Sequence, residues 1–583
     1  MCPKSHRNAK NYYRKMPIQT PGEQLLPLPT GAPIEEYILE YYGSIAEGLG
    51  NSPSASVEII NQRYANIRLP QEERESFLIH NPSEAVTLPL LYGLNAREAL
   101  DEAGILLFHT YPYGELRGRG VVVGIIDTGI DYPNSVFRYE DGTTRIQRIW
   151  DQSIEGSPPT GFKYGTEYMK EQINEALASP DPYSVVPSRD ENGHGTVIAG
   201  IAAGYDRSGA NEYTGGAPDA ELYIVKLRPA SEYLRQYYFI KDGAYACQSN
   251  DIMLGVRYLI QSIRETEKPM VICLAIGTND GAHDGSNILE SVLQEISALR
   301  DIALVISAGN EANTGHHYSG TLVGRPSDSF EVNVAEGEEG FELIVWSRNP
   351  DKISISIRSP IGTIIEKIPV TPGGFERIKL PLEETVVTVL YQYPDPRNGA
   401  EEITVRLDKP TNGIWTFTVY GDYVVDGRYD AWLPKDGFLD SGTRFLQPDP
   451  FITLTIPATM SDSIVVGAYD NIDKSMFAGS SRGPTRAEII KPDLIAPGVN
   501  VRAPQVGGGY TSYTGTGASA AVTAAAAALL FQWGLIEGNL PFMNTNTIRA
   551  ILIRGATRQK GVVYPNPVEG YGRLNLLSSL ALL

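Results

Sequence analysis

The chain changes its hydrophobic texture three times, and each change predicts a domain boundary. From residue 119 the apolar residues come in continuous runs: "GRGVVVGIIDTGID", "ELYIVKL", "PMVICLAIGTNDG" and "DIALVISAGNE". Short apolar runs ending in a turn predict strands buried on both faces, as in a parallel sheet. Between them, "NDIMLGVRYLIQSIRETE" and "SNILESVLQEISAL" space their apolar residues as helices do. Strand alternating with helix predicts a doubly wound α/β domain, with functional residues where strands end and loops begin. From about 333 to 456 the pattern becomes short, β-branched and alternating: "FELIVWSR", "KISISIRSP", "TIIEKIPV", "ETVVTVLYQY", "ITVRLD", "IWTFTVYG" and "FITLTIP". With turns between the runs and no helix, this predicts an antiparallel sandwich of jelly-roll type. "SIVVGAYD" then resumes the buried-strand theme, so the sandwich is an insertion. Upstream, "IEEYILEYYGSIAEG" (34–48) reads as helix, "SVEIINQRYANIRLP" as strand and "REALDEAGI" as helix again. The first 30 or so residues are polar and proline-punctuated, which predicts poor order. The expected division is a small α/β unit over 1–105, the α/β core over 106–332 and 457–583, and the insert over 333–456.

Bulk properties narrow the function classes. At 583 residues, with 42% hydrophobic and 20% charged residues, the chain has the composition of a folded multidomain protein. Its net charge of −20 argues against binding nucleic acid or an anionic membrane face. Cys2, Cys247 and Cys273 are too few and too scattered for a disulfide framework, and none has metal-ligand spacing. The basic N-terminus has no apolar segment behind it, and no stretch reads as a membrane span. The expected location is the compartment of synthesis, or a structure assembled within it.

Three element ends carry candidate chemistry. Asp127 ends the apolar run in "VGIIDTGID". His194, in "DENGHGTVIAGIAAG", opens a small, apolar helix, with glycines on both sides that permit close approach. Asn310, in "LVISAGNEAN", follows a buried strand and could offer its amide to a developing oxyanion. Taken singly, each is an ordinary cap or turn. Together and in this order they resemble the subtilisin-like serine proteases, as do "KPDLIAPG" and the loop and helix "GTGASAAVTAAAAALL". The resemblance covers roughly 119–330 and 457–583. It narrows to the clostridial germination proteases and pseudoproteases of the Csp type on "AIGTNDGAHDG", "YPNPVEGYGRLN" and "FQWGLIEGNLPFMNTNTIRAILIRGATR". The resemblance implies an N-terminal prodomain and an inserted jelly-roll. It also implies a role in bacterial spores, where active members process a cortex-hydrolase precursor and inactive members act in germinant signalling. Location in the spore would follow.

One position departs from that pattern. Active members have serine after the glycine-threonine pair; here Gly515 and Thr516 align and Gly517 occupies the serine slot. Ser519 lies two helical steps on, turned by about 200° and shifted by about 3 Å, so it is poorly placed to meet His194. Thr516 would need an equally large shift. The expected function is therefore a pseudoprotease that binds a peptide in its cleft, a germination protease, a hydrolase precursor or a small germinant. The alternative is an active endopeptidase that uses Ser519 or carries Gly517 as an engineered trap. Without self-cleavage, the segment before about residue 100 would stay attached and could plug the cleft. No cofactor is implied. The histidines of "GAHDG" (281–285) and "GHH" (315–317) lack a full metal-ligand set.

Overall fold

The structure, a computed structural model, describes residues 34–583 apart from 42–44, 46–51, 53, 82–85, 90, 95–99, 101, 111–114, 208–212 and 372. The polar N-terminal stretch and Cys2 lie outside the described residues. So do residues 97–99 and 101 of "REALDEAGI", and 102–104 form a turn and not a helix.

The α/β core is built on an eight-stranded sheet. Its spatial order is Leu494–Pro497, Ile464–Tyr469, Ile302–Ser307, Met270–Leu274, Val122–Asp127, Glu221–Lys226, Ile146–Asp151 and Thr166–Met169. All neighbours are parallel except the last pair. Each apolar run quoted above supplies a strand, and both faces are covered, as an all-parallel sheet requires. One face packs on the helices His194–Ala203 and Thr516–Phe531, the other on Ser249–Arg264 and Ile288–Ser297.

The helix Thr516–Phe531 is buried along its whole length. Thr516–Ile536 is long and apolar enough to cross a membrane by composition, contrary to expectation, yet 83% of that window is buried in the molecule. Alanine accounts for both facts: it makes the helix apolar, and its size lets neighbours approach closely. A Cβ added at Gly216 would lie 2.4 Å from the Cβ of Ala525.

The insert is a sandwich of a six-stranded and a five-stranded antiparallel sheet around one apolar core. It begins earlier than predicted, with His317–Thr321 and Ser327–Val334 already paired into it. Those strands are polar at many positions, so no apolar run announces them. The segment 451–457 ("FITLTIP") is not one of its strands. It carries the chain back to the core: the Thr455 amide donates to the Ala308 carbonyl at 3.0 Å and the Ile456 amide to the Thr278 carbonyl at 2.9 Å. The motif histidines serve this junction. His283 stacks on Trp432 at 4.2 Å between ring centroids, and burial pushes its pKa down to about 4 against two nearby carbonyls. His317 lies 3.3 Å from Asp430. Among the described residues no group of three His, Cys, Asp or Glu could hold a metal ion.

The N-terminal unit is a four-stranded antiparallel sheet in the order Ser56–Ile59, Tyr64–Pro70, Ile34–Glu40, Val86–Thr87. The helix predicted over 34–48 is thus a strand at 34–40. Its buried positions are consecutive because both faces are covered: Tyr37 and Leu39 face the unit's own core, while Ile38 joins the α/β core. Glu36 anchors the contact. Arg228 Nη2 lies 2.8 and 2.7 Å from its two oxygens, and the Asn250 amide donates to it at 2.8 Å. The Arg228 Nε bonds Asp251 at 2.8 Å, and the Tyr164 hydroxyl donates to Asp251 at 2.5 Å. Burial alone would raise the Glu36 carboxyl, but Arg228 and Arg68 hold it below its usual range. Removing one member of such a network leaves buried charge uncompensated. Arg228→Ala is therefore expected to cost about 3–5 kcal/mol in urea unfolding. It should also expose the N-terminal unit to limited proteolysis; an unchanged midpoint and digestion pattern would contradict this.

Candidate active site

Asp127 is the last residue of the central strand, and the strand is wholly buried. His194 is the first residue of its helix. The sequence brings them together through close backbone approach. A Cβ at Gly195 would lie 2.2 Å from the carbonyl oxygen of Gly129, so only glycine lets the helix start this near the aspartate loop. The His194 Nδ1 then sits 2.7 Å from Asp127 Oδ1, both side chains 1% exposed. The Thr128 amide donates to the same carboxylate oxygen at 2.8 Å.

Asp190 completes the positioning, and sequence reasoning missed it. Its carboxylate accepts from the Gly193 and Thr196 amides at 2.8 Å each and from the hydroxyls of Thr128 and Thr196 at 2.7 Å each. It caps the histidine helix and ties it to the loop after Asp127. An aspartate a few residues before a helix start is the available signal. The Tyr513 ring packs beside His194 at 5.8 Å.

Asn310 lies just past the strand Ile302–Ser307, as expected. Its Oδ1 accepts from both the amide and the hydroxyl of Thr516, at 3.1 Å each. The Thr516 Oγ1 in turn accepts from the Gly309 amide at 3.0 Å. The oxygen end of the Asn310 carboxamide is committed to Thr516. Thr516 is thus a positioning residue for Asn310, not a displaced nucleophile. The next residue in the helix is Gly517, which has no side chain.

Ser519 does not fill that role. It is fully buried, and its hydroxyl donates to the Ala496 carbonyl at 3.0 Å, with the Pro497 carbonyl at 3.3 Å. Those carbonyls belong to the strand Leu494–Pro497 from "KPDLIAPG", which is held by the buried Lys491–Asp493 pair at 2.7 Å.

A strand from the N-terminal part of the chain pairs with two segments of the core. Leu91–Leu94 runs antiparallel to Cys247–Gln248 on one side and to Ile276–Gly277 on the other, forming a three-stranded sheet. This is the geometry of an extended peptide adding to exposed strand edges.

The Subtilase family model matches residues 118–332 and 449–572. The chain belongs to the subtilase family. The solved structure of the Clostridium perfringens CspB protease is similar to this subtilase over 83% of the chain and 97% of that protein, with a TM-score of 0.74 at 33% identity. That similarity supports the Csp-type branch. More distant relatives include a PII-type proteinase of Lactococcus lactis subsp. cremoris, 22% identical over 79% of this chain and 25% of that protein. Subtilisin-like protease SBT1.2 of Arabidopsis thaliana is 24% identical over 66% of this chain and 50% of that protein. The subtilase thus spans a quarter to a half of these curated relatives' own lengths.

Ser519→Ala should remove one buried hydrogen bond and no catalytic group. Unfolding stability is expected to fall by about 0.5–1.5 kcal/mol. Peptidase rate, in the parent and in a Gly517→Ser background, should be unchanged. A rate loss tracking this substitution would restore Ser519 as a nucleophile.

Proposed function

We propose that this subtilase is a Csp-type pseudoprotease: it keeps a binding cleft and loses bond cleavage. The observation that carries the reading is Gly517, directly after the Thr516 that anchors Asn310 and at the start of an intact helix. Asp127 and His194 are within hydrogen-bond distance, so a base is in place. A base without a hydroxyl to deprotonate cannot form an acyl intermediate. In subtilisin, loss of the serine costs about 10⁶ in turnover. What survives through oxyanion binding is about 10³ to 10⁴ over water. That is too slow for a dedicated endopeptidase.

By its likeness to the Csp branch we assign the four-stranded N-terminal unit as a prodomain and the insert as a jelly-roll domain. The role that follows is in spore germination, by binding a partner germination protease, a hydrolase precursor or a small germinant. The strand Leu91–Leu94 supports a retained prodomain, since it already pairs on both edges of the cleft.

Two measurements test the reading. Gly517→Ser should raise peptidase activity by about 10⁴-fold or more over the parent. A parent that cleaves at the variant's rate would sink the pseudoprotease assignment. Separately, intact mass of the purified parent should equal that of the uncut chain, whereas Gly517→Ser should release a fragment ending near residue 100. Efficient self-cleavage of the parent would contradict the retained prodomain.

A further inference from the structure

A half-open cavity lies where three parts of the chain meet. They are the segment after the short helix Glu232–Tyr237, the turn after the cleft strand Ile276–Gly277, and the six-stranded sheet of the insert with its following loop. It is small, with about 30 Å³ of space open to the centre of a water-sized sphere. Its walls are mainly apolar and aromatic, with Tyr238, Ile344, Trp432 and Phe438 prominent, and two carboxylates line it, Asp280 and Glu342.

The two carboxylates differ in one respect. Glu342 is matched by Arg406, at 2.8 Å, and Arg406 is itself held over the rings of Tyr237 and Phe239. Lys435, also on the lining, is turned to Glu311 at 4.0 Å. Asp280 has only its backbone amide bonded, to the Thr278 hydroxyl at 3.2 Å; among the described residues no donor and no cation reaches its carboxylate. The charged groups that act on it are Glu342 and Glu402, both of its own sign. Burial first, and then these two carboxylates, push its pKa well above the usual range.

A carboxylate so placed either keeps its proton or takes up a cation. A hard metal ion needs six or more oxygen ligands, which apolar and aromatic walls do not supply. A carboxylate beside aromatic faces is instead the chemistry that holds an organic cation. We propose that this cavity binds a small primary amine as its ammonium ion, with the nitrogen on Asp280 and the alkyl stem against Trp432 and Phe438. The site adjoins the cleft: Asp280 is three residues beyond Gly277, which pairs with Gly93. Its existence does not depend on the loss of the nucleophile.

The test is calorimetric titration of the full chain with n-propylammonium chloride, beside n-propanol, sodium chloride and calcium chloride. Saturable binding is expected for the ammonium alone. Asp280→Asn should weaken it by about tenfold or more. This variant replaces a half-buried, unpaired carboxylate with a neutral isostere, so it should fold with a thermal midpoint at or above the parent's at neutral pH. A folded-state pKa raised above the unfolded value means that ionisation costs stability as pH rises above the usual carboxyl range. The variant should lack that loss. The proposal fails if the parent shows no saturable binding, if propanol or calcium binds as well, or if Asp280→Asn binds the ammonium as tightly.

Discussion

The architecture of the site depends on one constraint: the helix Thr516–Phe531 must lie wholly buried between the sheet and the histidine helix. Only small side chains allow this. Gly200, on the histidine helix, shows how tight the layer is, because a Cβ there would lie 2.2 Å from Pro504. Close packing fixes the helix axially, and its first turn then sets where Thr516 meets Asn310. The same layer holds the helix that begins at His194, and Asp190 locks that helix to the loop after Asp127. The dyad and the oxyanion amide are therefore products of core packing. Gly517 lies in the first turn of this fully buried helix. On the proposed reading, a nucleophile can then be missing while the elements around it stay in place.

The core strands and helices were legible because their signals are redundant: length, apolar continuity and turn residues agree in "VVVGIID" and "IALVIS". Asp127, His194 and Asn310 stood out as candidates because they sit at or just past element ends, where the pattern breaks. What was misread is equally physical. Ile34–Glu40 alternates poorly because it is buried on both faces, and of its two buried acids Glu36 is neutralised by Arg228, 192 residues away. No local pattern can carry that partner. His317–Thr321 was missed because most of its strand is only partly buried. Segment 451–457 was misread because buried return loops are as apolar as strands.

The retained Asp127–His194 pair has a structural consequence of its own. Both side chains are buried, and each gives the other a hydrogen-bond partner. Removing one would leave the other desolvated and incompletely bonded, which costs stability whether or not a substrate is ever cut. Asp190 has the same dual character, since it caps a helix and orients a base with one carboxylate. Persistence of catalytic geometry is therefore weak evidence for catalysis. The element that discriminates is the nucleophile, because Gly517 is the one position here where chemistry and packing make different demands.

The cleft follows from similar reasoning. Leu91–Leu94 is joined covalently to the sheet that Arg228 holds on the core, so it meets the cleft at the effective concentration of a tethered ligand. For short tethers that is in the millimolar range. A separate peptide must outcompete it, and a ligand elsewhere can favour opening only by its difference in affinity for the two states. Two parts of the structure can supply such a difference. One is the Glu36–Arg228–Asp251 network, which must break if the N-terminal sheet leaves. The other is the turn 278–280, which extends the strand Ile276–Gly277 into the cavity around Asp280. On the proposed reading, in which this segment is not removed by cleavage, the cleft changes state only through equilibria of this kind.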